Sequence, residues 1–390
     1  MSILQDISRT RAPLASFLVI GLAWASFSAQ APVLKSEIEA SDSVYGLVML
    51  LASVGALLAM WLAPLAHKWV GAYSLMVGSF LVGTGFIFVG MSSQIVFFGL
   101  ALGVMAAGAG IVDVLANAEI AEVEADTRVA LMNLNHGLYS FSYAGAALAT
   151  GWMREAGWAT LSIFIVFGVG IVCLCLVMRI PKRHGLETGI DALPARVPLG
   201  FVLTAGAVVL VAFLAEASSE GWSALHIERT LQGGAAQGAM GPAILGLTMG
   251  IGRLGWHFIN YTGRDIHAMI IALLISAFGM FLAGIAPNLA VAYLGFGLGG
   301  LGVSVVAPLA LGLLGRSVRG EVRLTAISRA SAIGYGAFFL GPPLMGFVAE
   351  GFGLRTAFVV VAALLALVGV VLVPLYGRLA QEVSKAPTGA

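Results

Sequence analysis

Long apolar runs separated by short polar turns make up almost the whole of this chain. Runs close to the ~20 residues a helix needs to cross a bilayer recur at 13–33, 43–66, 73–91, 95–118, 129–152, 158–179, 199–218, 240–261, 267–286, 289–314, 325–348 and 355–376. A segment inside hydrocarbon must satisfy its own backbone N–H and C=O groups, so each run predicts a helix. The one long polar interval, 180–198, carries Pro181, Lys182, Arg183, His184, Pro194 and Pro198 and divides the spans six and six. The expected fold is all-α and membrane-integral, with twelve transmembrane helices in two six-helix bundles. The expected divisions are an N-terminal bundle at 1–182, a cytoplasmic linker at 183–198, a C-terminal bundle at 199–380 and a disordered tail at 381–390.

Composition agrees and narrows the function. The chain has 390 residues, 59% hydrophobic and 10% charged, with a mean hydropathy of +0.99; soluble domains carry roughly 25% charge. A net charge of +1 provides no surface for nucleic acid. Cys173 and Cys175 sit in an apolar run and read as packing residues. Arg9 and Arg11 before the first run, with Ser28-Ala29-Gln30-Ala31 after it, resemble a secretory signal, but eleven later spans favour an uncleaved first helix. An even number of spans puts both termini on one side. The opposite side carries only Lys35, Arg154, Arg229 and Arg355, whereas the terminus side carries most of the other cations, which predicts cytoplasmic termini.

No GxxxxGK[ST] stretch occurs, so ATP is not the expected energy source; a proton or sodium gradient, or downhill flow, remains. Neither a metal-spaced cluster of His, Cys and acids nor a Ser-His-acid set stands out, so no enzyme activity, metal or cofactor is expected. The expected partners are the lipid bilayer, a small-molecule substrate and a coupling ion.

The stretch with the most chemistry is 108–117, GAGIVDVLAN, which sets Asp113 and Asn117 one turn apart on one face of a buried helix. An ionisable group at that depth costs a few kcal/mol and usually faces protein or a wet cavity, as a proton or substrate site or as a helix-to-helix bond. Asn133, His136 and Ser140 share a face of the fifth span, at a depth matching Asp113 and Asn117, so the two faces are expected to meet. In the second half Arg253 lies mid-span, ready to receive a substrate carboxylate or to pair with Asp113 or Glu216, and Arg329 lies nearer the terminus side. Glu216 is the second candidate for proton coupling, while Glu220 reads as loop surface. Trp24, Tyr139 and Trp222 are candidates for stacking on a substrate ring, or for packing.

These features resemble the major facilitator superfamily over nearly the whole chain, and within it the fucose-permease-like bacterial branch. The residues that carry the likeness are Gly108, Gly110, Asp113 and Asn117; Asn133-Leu134-x-His136 with Ser140-Phe141; Trp222-Ser223; Gly252-Arg253; and Gly341-Pro342 with Met345-Gly346-Phe347. The resemblance implies pseudo-symmetric bundles, a monomer in the cell inner membrane, and alternating access. It also implies a loop signature after the second span, reduced here to Pro64 through Gly71 with His67 or Lys68 at the acid position, and a second copy with Asn260 at that position before Gly263 and Arg264. In the sugar permease the first span carries an acid where Ser28 stands here. Three functions follow as expectations: proton-coupled import of a sugar or organic acid, proton-driven export of amphipathic compounds, or a non-transporting receptor or assembly factor.

Overall fold

The computed structural model describes residues 3–129, 131–178, 199–258, 264–318 and 320–385. Every regular element among them is helical, and after a short leading helix, Ile3–Arg9, they form twelve rods. The first bundle holds α1 (Arg11–Glu37), α2 (Asp42–Val70), α3 (Ser74–Gly90), α4 (Ile95–Thr127), α5 (Met132–Glu155) and α6 (Thr160–Cys175). The second opens with α7 (Leu199–Leu225), α8 (Ala235–Phe258), α9 (Asp265–Ile285) and α10 (Leu289–Val303, continued by Val306–Ser317). Gly320–Tyr335 then leads into Ala337–Leu367, which Gly353 breaks at φ +83° and ψ 160°, a conformation that suits glycine. The rod before that break is α11. The rod after it, running on through Val368–Leu372 and Val373–Lys385, is α12. This last helix continues past residue 380, where the sequence suggested a disordered tail; residues 386–390 and the expected linker 183–198 lie outside the described residues.

Among the described residues, eight stretches are long and apolar enough to cross a membrane by length and composition, and one of them, Thr325–Val383, contains parts of both α11 and α12. The helix of α6 is shorter. α5 and α8 are not among those stretches, and both carry polar residues along the face they turn inward, such as His136, Ser140 and Arg253. Long apolar side chains such as Phe80, Leu100, Phe278 and Leu294 are more than half exposed and form a lipid-facing exterior.

Each bundle closes on the same kind of contact. In the first, Gly85 and Gly108 let the α3 and α4 backbones touch; in the second, Gly279 and Gly295 do so for α9 and α10, where any Cβ would strike main-chain atoms. α1 and α7 are the most enclosed, with Val19, Ala23, Ala29 and Leu34 on one and Val208, Val209, Ala215 and Trp222 on the other at 0% exposure. The bundles meet where α2 packs on α11 and α5 packs on α8. Along these seams glycines again remove bulk: Gly46 and Gly346 at the first, Gly151 and Gly246 at the second.

Candidate functional site

Between the bundles lies a cavity of about 430 Å³, a size suited to a small organic ligand. The first bundle lines it with Phe17, Trp24, Phe27 and Ser28 from α1, Met49 and Ser53 from α2, Asp113 and Asn117 from α4, and His136 and Tyr139 from α5. The second bundle adds Phe213, Glu216 and Glu220 from α7, Arg253 from α8, and Tyr335, Phe338 and Phe339 from α11. The wall is mostly apolar, and its polar groups fall into two connected sets.

The first set is built on Asp113. Asn117, one turn on, donates its amide Nδ2 to Asp113 Oδ1 at 3.0 Å and to the Asp113 carbonyl at 2.8 Å. Asn117 Oδ1 can then only accept, and it lies 3.0 Å from His136 Nε2, so that ring nitrogen carries the proton. The other carboxylate oxygen of Asp113, Oδ2, accepts a bond of 2.9 Å from the hydroxyl of Tyr335, which belongs to the opposite bundle. The second set centres on Arg253. Its Nη1 donates to Ser140 Oγ at 3.0 Å, reaching across to α5, and its Nη2 stands 3.4 Å from Glu216 Oε1. Of the two pairings open to Arg253 in the sequence, the structure makes the one with Glu216.

Most of the expected residues meet here. Asp113, Asn117, His136, Tyr139, Trp24, Ser28, Glu216 and Arg253 all line the one cavity, and Ser28 Oγ accepts from Tyr143 at 3.0 Å. Two do not reach it. Asn133 lies in the first turn of α5, about one turn nearer the terminus side than His136, and the neighbouring Asn135 is the buried amide, tied to Thr10 and to the Leu131 carbonyl. Trp222 is 0% exposed and packs edge-on against Tyr45 at 5.5 Å; the cavity stripe of α7 runs through 216, 217, 220 and 221 and leaves 222 off it. Conversely Glu220, expected on a loop, lies inside α7 because that helix runs to Leu225, and it lines the cavity. Tyr335 also lines the cavity, and the sequence does not point to it: a lone tyrosine between Gly334 and Gly336 does not say which way α11 turns it. Arg329 is exposed and away from the cavity.

On the side opposite the termini the bundles are clasped by ion pairs. Arg229 makes a two-pronged pair with Asp42, Nη2 to Oδ2 at 2.9 Å, and Lys35 Nζ joins the same carboxylate at 3.0 Å. Arg154, with its side chain 7% exposed, grips Glu228 through two bonds of 2.7 and 3.0 Å and also bonds the Ala29 carbonyl. Backbone N–H groups of Ser43 and Ala236 donate across the same seam to Glu350 and Glu155. Toward the terminus side, the Gly320–Tyr335 half of α11 packs chiefly on α7 and α10 of its own bundle.

A sequence profile of the Major Facilitator Superfamily matches residues 221–390. An uncharacterized MFS-type transporter of Yersinia pestis is 30% identical over 363 residues, which cover 90% of this chain and 91% of that protein. The chain belongs to the major facilitator superfamily. The membrane protein MosC of Rhizobium meliloti is 23% identical over 360 residues, 89% of this chain and 85% of its own. Among solved structures, a bacterial homolog of the human lysosomal transporter Spinster, in an inward-facing and occupied conformation, superposes with a TM-score of 0.75 at 16% identity over all of both chains. A D-xylose-proton symporter superposes at 0.74, with 18% identity, over 95% of this chain and 97% of that one. At these identities the likeness is one of fold.

As a superfamily transporter the protein is a multi-pass membrane protein and not an enzyme. Of the residues expected at the superfamily's loop signature, Lys68 is exposed in the last turn of α2 and Gly71 follows at φ +54°. Arg264 stands exposed immediately before α9, while Asn260 and Gly263 lie outside the described residues.

Proposed function

We propose that the protein is a proton-coupled secondary transporter that carries a small organic solute through this cavity by alternating access. The observation that carries this reading is the bond from Tyr335 to Asp113, a titratable carboxylate inside the cavity that is held by both bundles at once. As an anion, Asp113 offers Oδ2 as an acceptor to Tyr335; a proton on that oxygen turns it into a donor and removes the bond in its present form. A charge-assisted hydrogen bond contributes roughly 1.5–3 kcal/mol, and a proton shifts a conformational balance through its difference in affinity for the two states. Protonation of Asp113 therefore biases how the bundles sit against each other.

The conformation favours the same reading. With the clasp closed on the side opposite the termini, the cavity is left to communicate with the terminus side. The bias of Lys and Arg makes that side the cytoplasm of a cell with this protein in its inner membrane. In this reading the cycle alternates between this inward-facing arrangement and one in which the Asp42–Arg229 and Arg154–Glu228 pairs have parted, and the protein works as a monomer.

Symport of a sugar is a second form of the same proposal, favoured by Trp24, Ser28, Asn117 and Tyr139 in one cavity, an aromatic plate beside hydroxyl and amide groups. An organic acid is less well served, because Arg253 already faces Glu216 and Ser140. The test needs no known substrate. Spin labels at Trp158→Cys and Phe352→Cys report the distance between the bundles on the clasped side. That distance should change between about pH 5 and about pH 8 in the wild type and lose this response in Asp113→Asn. A distance indifferent to pH, or an unaltered response in Asp113→Asn, removes the carboxylate from coupling.

A further inference from the structure

Glu216 and Glu220 stand one helical turn apart on α7, and both line the cavity. Glu216 has its counter-charge in Arg253, and Asp113 takes its bonds from Asn117 and Tyr335. Glu220 has no hydrogen bond or ion pair among the described residues. The titratable and charged groups that share the cavity wall with it are Glu216 on its own helix, Arg253 from α8, Asp113 from α4, His136 and Tyr139 from α5 and Tyr335 from α11, and Tyr143 of α5, bonded to the lining Ser28, also acts on Glu220; α1 and α2 present no titratable side chain to the cavity. Three carboxylates thus share the space with one guanidinium. A carboxylate in so apolar a chamber is costly as a lone anion and is relieved by a proton or by a cation. Trp24, Phe27 and Phe338 line the same cavity, and aromatic rings attract a cationic centre and cover an apolar body.

The geometry points to a monovalent organic cation with an aromatic or branched apolar body as the ligand of this cavity, its charged centre against Glu220 and its body against Trp24 and Phe27. The inference rests on the reading of the cavity as a transport path and adds the class of substrate. Charge balances in the exchange: the cation enters as Glu220 releases its proton. An anion of the same shape meets three carboxylates and a guanidinium already facing Glu216, and a neutral sugar makes no use of the charge on Glu220, which then keeps its proton.

The experiment measures binding of tetraphenylphosphonium, and of the anion tetraphenylborate as its shape-matched control, to the full chain in lipid nanodiscs, with empty discs subtracted. The phosphonium should bind tighter as pH rises, by up to about tenfold per unit for one displaced proton. Glu220→Gln should weaken it by about tenfold or more and abolish the pH dependence, while Glu220→Asp retains both. Tetraphenylborate should not bind above the empty-disc level. Equal binding by wild type and Glu220→Gln, no phosphonium binding at any pH, or preference for the borate each overturns the assignment. The spin-label distance separates the two claims. Glu220-dependent binding in a protein whose bundles never respond to pH upholds the site and removes the proton coupling through Asp113. Bundles that respond to pH while the phosphonium ignores Glu220 uphold transport and overturn the cation.

Discussion

The hydroxyl of Tyr335 donates to the carboxylate of Asp113 at 2.9 Å, joining residues 222 positions apart in sequence and on opposite bundles. Asp113 is also held from its own bundle by Asn117, itself in contact with His136. A change of charge at one atom therefore acts on the contact between two domains. Tyr335→Phe keeps the ring, which packs 5.7 Å from Phe213, and deletes the donor alone. The balance between the two arrangements should shift by about tenfold or more, the equivalent of roughly 1.5–3 kcal/mol, with folding little affected. Spin-label populations in Tyr335→Phe that match wild type at every pH would show that this bond carries no coupling.

The clasp yields a second expectation. Removing one partner from a buried pair leaves the other charge uncompensated and costs about 3–5 kcal/mol. Arg154→Ala should therefore destabilise the arrangement in which Arg154 meets Glu228, and labels at Trp158→Cys and Phe352→Cys should move apart. Arg229→Ala should act in the same direction but more weakly, since its side chain is 46% exposed. The decisive outcome is the order of the two effects, measured as the fraction of the longer distance.

Trp222 supplies a third. It is fully enclosed, and among the described residues neither its Nε1 nor the hydroxyl of Tyr45 against which it packs has a hydrogen-bond partner. Unmade bonds of buried groups cost about 1–3 kcal/mol each, and the Tyr45–Trp222 contact belongs to α2 and α7, so it must part when the bundles separate on that side. Trp222→Cys should react slowly with a membrane-impermeant thiol reagent and at least about tenfold faster once Arg154→Ala is added. A rate unmoved by the second substitution would place Trp222 in a static core.

Glycines give the fourth, and they separate folding from switching. Gly346 lies on the seam between bundles, where a side chain would strike the backbone of α2 near Asp42 and Gly46, whereas Gly85 lies inside the first bundle against the Met105 backbone. Overpacking costs typically 1–3 kcal/mol. Gly85→Leu should lower the melting temperature with the distance distribution unchanged. Gly346→Leu should leave the melting temperature near wild type and raise the separated population, because the bundles relieve the clash by moving apart. The reverse assignment in a thermal melt would mean that the α2–α11 seam does not open.

Much of this was legible before any coordinates. Spacing alone set Asn117 beside Asp113, and the matching depth of His136 brought the faces of α4 and α5 together as found. Arg253 was recognisable as a buried charge that needed a partner, although two acids were on offer. Glu220 was misplaced because apolarity falls near residue 218 while the helix, packed on its neighbours, continues to Leu225. Asn133 and Trp222 were each about one turn or one rotation step from the cavity, a difference that helical periodicity does not resolve without knowing where the cavity ends. Lys35, Arg154 and Arg229 were legible only as markers of sidedness, yet each has a carboxylate partner in the structure.

What the sequence by itself determined is local: which runs must be helical in hydrocarbon, how many there are, where the polar divider falls, and which side chains share a helical face. These follow from the solvation of the backbone and the 3.6-residue period. What only the tertiary structure decided is which faces meet across the two bundles. That depends on the rotation and depth of each helix, set by packing at glycines and by pairings such as Asp113–Tyr335 and Arg154–Glu228 between segments distant in the chain, for which no short-range pattern exists.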